Sequence, residues 1–329
     1  MGRRRAIGDE WLPARVYRGR SAFEFRPKNN VCIRLLPLSS SAAAVIRRYD
    51  EEKAKFEISS GSFAELCNEF FDSADFTKLS PRTQSDYQGN ARMVAPVFDH
   101  MSVDLILPEH IRQYMDKRGT VAEIRANREH SFMSKVFSWG YERGKVKLNP
   151  CHNVRRFSET PRDRYITDEE YSALLLEARP ELQALMEISY CCAARQGDVL
   201  TLKRSHLLDD GLFIKQGKTN KAQIKRWTER LRSAVRLALM SQEVTGMEGL
   251  FVGKGGNGIT KDVLRHWVRS AKLNASAKNP NLKFDFTFHD IKAKSISDYE
   301  GDKQLFSGHK TAAQVGTYDR KTEIVDSHE

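Results

Sequence analysis

The sequence predicts a multidomain, mainly α-helical chain: a small three-stranded β-sheet plus helix first, a four-helix segment next, and a mixed α+β domain last. Three observations predict it. The 329 residues are enough for two or three independent hydrophobic cores. Strand-like runs are confined to residues 16–35 and 211–227, and apolar residues at helical spacing dominate elsewhere. Two polar, charged stretches, 50–61 and 151–164, interrupt those patterns as linkers and divide the chain into 1–55, 56–155 and 156–329.

The N-terminal strands are Val16-Tyr17-Arg18, Ala22 to Arg26 and Val31 to Leu35. Phe23 and Phe25 alternate with polar neighbours, and Pro27-Lys28-Asn29-Asn30 has turn chemistry. A helix capped near Ser39 to Ser41 follows, with Ala44, Val45, Ile46 and Tyr49 inward. Charge is concentrated here. The chain has 54 Lys and Arg against 43 Asp and Glu, net +11, and residues 1–55 hold 13 basic and 6 acidic residues, net +7 of that total. Such a basic arm points to a polyanion, nucleic acid or an anionic membrane surface, and a merely solubilising tail does not account for its aromatic and β-branched residues. Arg3, Arg4, Arg5, Arg15, Arg18, Arg20, Arg26 and Arg34 are therefore candidates for DNA contact. No apolar run approaches a membrane span and none forms a signal core, so the expected location is cytoplasmic with no membrane partner.

In the middle segment, Ser62 caps a helix whose Phe63, Leu66, Cys67, Phe70 and Phe71 share a face. Pro81 and Pro108 suit first helical positions, the first opening a helix through Tyr87, Met93, Val94 and Val97, the second one with Ile111, Tyr114 and Met115. Thr120 begins a long helix carrying Ile124, Phe132, Met133, Val136, Phe137 and Trp139. These aromatic stripes are read as core. Arg112, Lys117, Arg118, Arg125 and Arg128, with Arg155 and Arg156 in the following linker, are left for phosphates.

The C-terminal domain opens on a capping box, Thr167-Asp168-Glu169-Glu170. An apolar helix, Leu182 to Tyr190, breaks at Ala194-Arg195-Gln196-Gly197-Asp198, where a guanidinium between apolar turns must be paired or serve a ligand, and Asp198 is placed to orient it. Gly211 to Lys215 and Ala222 to Trp227 form a hairpin around Gln216 to Lys221, with Lys218 in the turn. Arg230 to Met240 and Asp262 to Ala271 are helical, Gly253 to Gly258 is a turn, and Lys272 to Lys283 is a loop. The last fifty residues carry Phe288-His289-Asp290-Ile291-Lys292, Gly308-His309 and, nine residues after that histidine, Tyr318. Five cysteines without C-x-x-C spacing and histidines without a ligand pattern predict no disulfide framework, no metal and no cofactor.

Taken in order, Arg195, Lys218, His289, Lys292, His309 and Tyr318 resemble the catalytic set of the tyrosine recombinases, the phage integrase family, over essentially the whole chain. The four-helix segment is similar to that family's SAM-like core-binding domain, and the start, with Arg3-Arg4-Arg5, Leu12-Pro13 and Tyr17, resembles the arm-binding domain of lambda-type integrases. The resemblance implies a metal- and ATP-independent, strand-transferring enzyme with Tyr318 as nucleophile. It further implies a 3′-phosphotyrosine, a Holliday junction, a homotetramer on core and arm attachment sites, and help from a DNA-bending host factor and a phage excisionase. One departure is chemical: Lys292 stands where the family has arginine, which keeps the charge and loses the bidentate fork. The His289-to-His309 interval is also short, with Asp298 to Lys303 as its turn. Two other readings of the same residues are a type IB topoisomerase-like activity and a catalytically weakened recombinase-like DNA-binding protein.

Overall fold

The computed structural model describes residues 8–9, 11–27, 31–59 (backbone alone for 54–59), 61–242, 246–253, 255–322 and 325–328. The chain forms two compact units, Met1–Glu159 and Thr160–Glu329.

In the first unit β1 (Val16–Arg18), β2 (Ala22–Phe25) and β3 (Ile33–Pro37) make an antiparallel meander in which Val16 faces Phe25 and Glu24 faces Arg34. The alternation of Phe23 and Phe25 sets the buried face, which closes on Leu12, Val16, Leu35 and, from α1 (Ala42–Ser59), Val45 and Tyr49. Two expectations are corrected. Ile46 is exposed, because among the described side chains of α1 it is Val45 and Tyr49, one helical turn apart, that meet the sheet. Residues 50–59 continue α1 and are not a linker, supported by Arg48 pairing with Glu51 and Glu52. The turn residues 28–30 and the linker residue Ser60 lie outside the described residues.

The same unit holds a second core built by α2 (Phe63–Phe71), α3 (Ala74–Thr77), α4 (Pro81–Phe98) and α5 (Pro108–Tyr141). Ser62 completes a capping box with Glu65, and both prolines take their expected first-turn positions. Phe63, Phe70, Phe98, Phe132 and Phe137 are fully enclosed, so the aromatic stripes are core. Met93, Val97 and Ile124 instead face solvent; Val94 and Phe98 supply the buried stripe of α4. The helix expected to begin at Thr120 starts just after it, because α5 is two helices that meet at a kink at Ala122 (φ −159°, ψ 81°). Just before that break, Gly119 leaves the space that Phe157 fills: a Cβ there would lie 2.2 Å from the phenyl ring. The segment after α5 is irregular yet pinned, since Asn127 both donates to and accepts from the Phe157 backbone at 2.9 Å.

The second unit contains α6 (Asp168–Glu177), α7 (Pro180–Cys192), α8 (Gln196–Leu200), β4 (Leu207–Leu208), β5 (Gly211–Lys215) and β6 (Ala222–Arg226). Then come α9 (Glu229–Met240), α10 (Lys261–Lys278), α11 (Asp290–Asp298), α12 (Lys303–Ser307) and α13 (Ala312–Gly316). Thr167 and Glu170 form the expected capping box. The apolar face of α7 is the spine: Leu182, Leu185, Met186 and Ile188 pack among Leu174, Leu231, Val235, Leu264, Phe286 and Ile291. A short strand, β4, joins the hairpin as a third member. Residues 272–278 are helical, contrary to the loop reading, because Ala271 and Ala275 continue the buried stripe of α10. Among the described residues no helix is long and apolar enough to cross a membrane.

Candidate active site

The site lies where α7 ends. Ala193 takes the left-handed conformation (φ 48°) that stops the helix, and Arg195 follows as the residue capping α8. Its Nη1 donates to Gln216 Oε1 at 2.7 Å. Gln216 is buried at the start of the hairpin turn and donates through Nε2 to the Ser307 carbonyl at 2.9 Å, so one amide ties Arg195, the hairpin and the His309 loop together. Gly308 permits this approach, with φ 67° and no side chain in the way. Asp198 does not orient Arg195: its Oδ1 accepts from the Gly217 amide at 2.9 Å and its Oδ2 has no partner among the described residues.

The remaining members come from α11 and the chain after α12. Asp290 begins α11, its Oδ2 accepting from Thr287 N and Oγ1 at 2.7 and 2.8 Å, which aims His289 outward. Tyr318 Oη lies 3.4 Å from His289 Nε2. The His309 ring stacks on the Tyr318 ring with centroids 4.9 Å apart and 23° between planes. His309 Nδ1 is 2.8 Å from Ser307 Oγ, and Nε2 is buried without a partner among the described residues. Lys292 is 1% exposed; its Nζ donates to the Ala193 carbonyl at 2.5 Å and lies 5.7 Å from the Tyr318 ring centroid. The structure thus gathers His289, Lys292, His309 and Tyr318, with Arg195 alongside through its charge. Lys218 is not gathered: it is exposed at the hairpin tip.

Positive charge dominates. Burial, then the Arg195 guanidinium, lowers the Lys292 ammonium to about 7, with Asp198 opposing. Burial, then Lys292 and Arg195, lowers His309 to about 4. Desolvation also lowers His289, against the attraction of Asp290. Nearby Lys225, donating to the Phe306 carbonyl, is lowered by burial as well. Such cations with few counter-charges are arranged for an anion, and a tyrosine hydroxyl beside a neutral imidazole can lose its proton when it attacks.

The candidate DNA contacts divide into committed and free side chains. Arg18 pairs with Asp9 (3.0 Å), Arg26 with Glu24 (2.7 Å), Arg118 with the buried Glu129 (3.0 Å) and Arg128 with Glu159 (2.9 Å). Arg112 pairs with Asp116, donates to the Arg155 carbonyl and sits over the Phe157 ring, which makes it a brace of the segment after α5. Arg15 donates to the Pro27 carbonyl and Arg34 to Ser21 Oγ. Arg20, Arg125, Arg155 and Arg156 are exposed with no side-chain hydrogen bond or ion pair among the described residues. Arg3, Arg4 and Arg5 lie outside the described residues. Sequence reasoning missed Gln216 and Lys225; a glutamine at a turn and a lysine on an exposed-looking strand carry no local signal of partners 91 and 81 residues away.

Known proteins share this fold. Residues 62–118 match the family model "Phage integrase, N-terminal SAM-like domain". The integrase of Escherichia phage HK022 is 24% identical over 259 residues, covering 73% of this chain and 70% of the relative. The integrase of Enterobacteria phage 434 is 25% identical over 222 residues, 62% and 60% of the two chains. A lambda integrase tetramer bound to a Holliday junction superposes with a TM-score of 0.70 at 17% identity, covering 96% of this chain and 98% of that one. The fold is that of the solved lambda integrases.

Proposed function

We propose that this chain is a site-specific recombinase that integrates and excises a phage genome by breaking and rejoining DNA through Tyr318. The observation that carries this reading is Tyr318 Oη at 3.4 Å from His289 Nε2, inside a cluster of cations. Tyr318 Oη attacks phosphorus and the P–O5′ bond breaks, leaving a 3′-phosphotyrosine and a free 5′-hydroxyl. His289 accepts the phenolic proton and Lys218, swinging in on the hairpin turn, protonates the departing oxygen. Arg195, Lys292 and His309 stabilise the charge on the non-bridging oxygens. When Ser307 donates to His309 Nδ1, Nε2 carries the hydrogen and serves as a donor. Reversal by a partner strand's 5′-hydroxyl rejoins the DNA with no energy source.

Division into an arm-binding domain (1–55), a core-binding domain (56–155) and a catalytic domain (156–329) fits this role. Lambda integrase has been seen as a dimer on a core site and as a tetramer on a Holliday junction. By analogy this chain works as a homotetramer on double-stranded core and arm sites in the bacterial cytoplasm, with a DNA-bending host factor and an excisionase. Arg20, Arg125, Arg155 and Arg156 are its readiest phosphate contacts. A second reading, DNA binding without cleavage, is favoured by Lys292 spending its ammonium on Ala193 O. Nicked duplexes spanning the phage's recombination junction decide between them. Wild type is expected to form a covalent adduct and Tyr318→Phe none; wild type that binds DNA and forms no adduct refutes the recombinase reading. Relaxation of plasmids lacking the junction would instead favour topoisomerase-like activity.

A further inference from the structure

Polar contacts beyond the motif residues converge on the three residues Tyr318 to Arg320. Arg320 Nη1 donates to Asp290 Oδ1 at 2.7 Å and to the Arg164 carbonyl at 3.2 Å, and both members of the ion pair are buried, at 8% and 2% side-chain exposure. The Arg320 amide donates to Ser297 Oγ at 2.7 Å, while that hydroxyl donates to the Tyr318 carbonyl at 3.2 Å. Lys303 Nζ pairs with Asp319 at 2.6 Å. Apolar packing in this region is thin: of α13 only Val315 is buried, in a cluster with Ala193 and Ile296, flanked by Phe306 and Tyr318.

We infer that Arg320 is a positioning residue that, through Asp290 and Ser297, docks the nucleophile segment onto the helix carrying His289 and Lys292. Asp290 is the hinge of the argument, because one carboxylate both caps the start of α11 beside His289 and holds the guanidinium two residues past Tyr318. Arg162 also reaches Asp290 Oδ2, at 3.5 Å, but from an exposed position, so without Arg320 the buried carboxylate keeps only a long, solvent-screened partner and the contact that holds the nucleophile segment to α11 is lost. A displacement of about 1 Å at a reacting atom can cost on the order of a hundredfold in rate. Affinity for DNA does not depend on that displacement. The inference rests on the recombinase reading for its consequence and not for its structural content.

Two measurements on the full chain test it. In the DNA-free protein, Arg320→Met is expected to speed amide exchange at residues 312–320 about tenfold or more while α7 and α9 stay protected. On nicked junction duplexes it is expected to slow single-turnover adduct formation by about a hundredfold at unchanged DNA affinity, with Arg320→Lys recovering part of the loss. Unaltered exchange at 312–320, or acceleration spread through α7 and α9, overturns the inference. Wild type without adduct would sink the recombinase reading, and the exchange measurement would still decide whether Arg320 docks the segment.

Discussion

Replacing Lys292 by methionine should stabilise the protein while abolishing its chemistry, and the stabilisation should depend on pH in a calculable way. Lys292 is 1% exposed, and its ammonium is held at about 7 in the fold against an ordinary 10.5. The unfolded chain therefore binds a proton that the native state sheds between about pH 7 and pH 10.5, so wild-type stability rises with pH across that window. Charging the buried amine costs most at and below pH 7. With about 1.36 kcal/mol per pH unit of displacement, the advantage of Lys292→Met should shrink by about 2–3 kcal/mol between pH 6 and pH 9. The lost hydrogen bond to Ala193 O costs roughly 1 kcal/mol, and any difference between its ammonium and amine forms is already contained in the displaced pKa, so the slope reports the lysine. Thermal unfolding of both proteins from pH 6 to pH 9 measures it, and for a unit of this size the gap between melting points should narrow by several degrees. Parallel curves, or a methionine variant less stable at pH 6, would mean that Lys292 is an ordinary paired ammonium and that the site is not short of negative charge.

Other perturbations follow from the same geometry. Lys292→Arg should retain adduct formation and remove from its pH profile the titration that a lysine near 7 imposes, as a rate series from pH 6 to pH 9 would show. His309, lowered to about 4 by burial and by Lys292 and Arg195, should stay neutral from pH 5 to pH 8. Removing a cation with Arg195→Ala should raise it, as NMR titration of the ring would show; an unmoved titration would place Arg195 out of electrical reach. Gly308→Ala puts a Cβ 2.7 Å from Gln216 Nε2 at a φ of 67°. It should displace the amide that holds Arg195, cost about 1 kcal/mol or more of stability, and slow adduct formation with DNA affinity retained.

Elements with strong local signals were legible before any coordinates. Thr167 with Glu170, Ser62 with Glu65, and the prolines at 81 and 108 are start signals written within four residues, and each marks a helix start. The order of the candidate residues is visible in the sequence because motif spacing survives as sequence distance. Where the reading failed, a polar surface was mistaken for absent structure. Residues 50–59 are charged, yet Glu and Lys are good helix formers and Arg48 pairs with both Glu51 and Glu52. Residues 272–278 look like a loop until Ala271 and Ala275 are seen to face the core, a stripe too small to register as hydrophobic.

The site's electrostatics were the least legible part, because they depend on partners distant in sequence. Lys292 read as a weakened substitute for arginine, judged by the fork it lacks. In the fold it is also a buried cation beside Arg195 and Lys225, answered by the Ala193 carbonyl and by Asp198, whose Oδ2 is unpartnered among the described residues. A lysine, unlike an arginine, can relieve that crowding by releasing its proton when no anion is bound. An arriving phosphodiester reverses the balance, since it favours the ammonium that the empty site disfavours. The substitution therefore exchanges bidentate grip for a site that charges as it fills. That is why the pH slope of stability in Lys292→Met and the pH profile of cleavage in Lys292→Arg must report the same group.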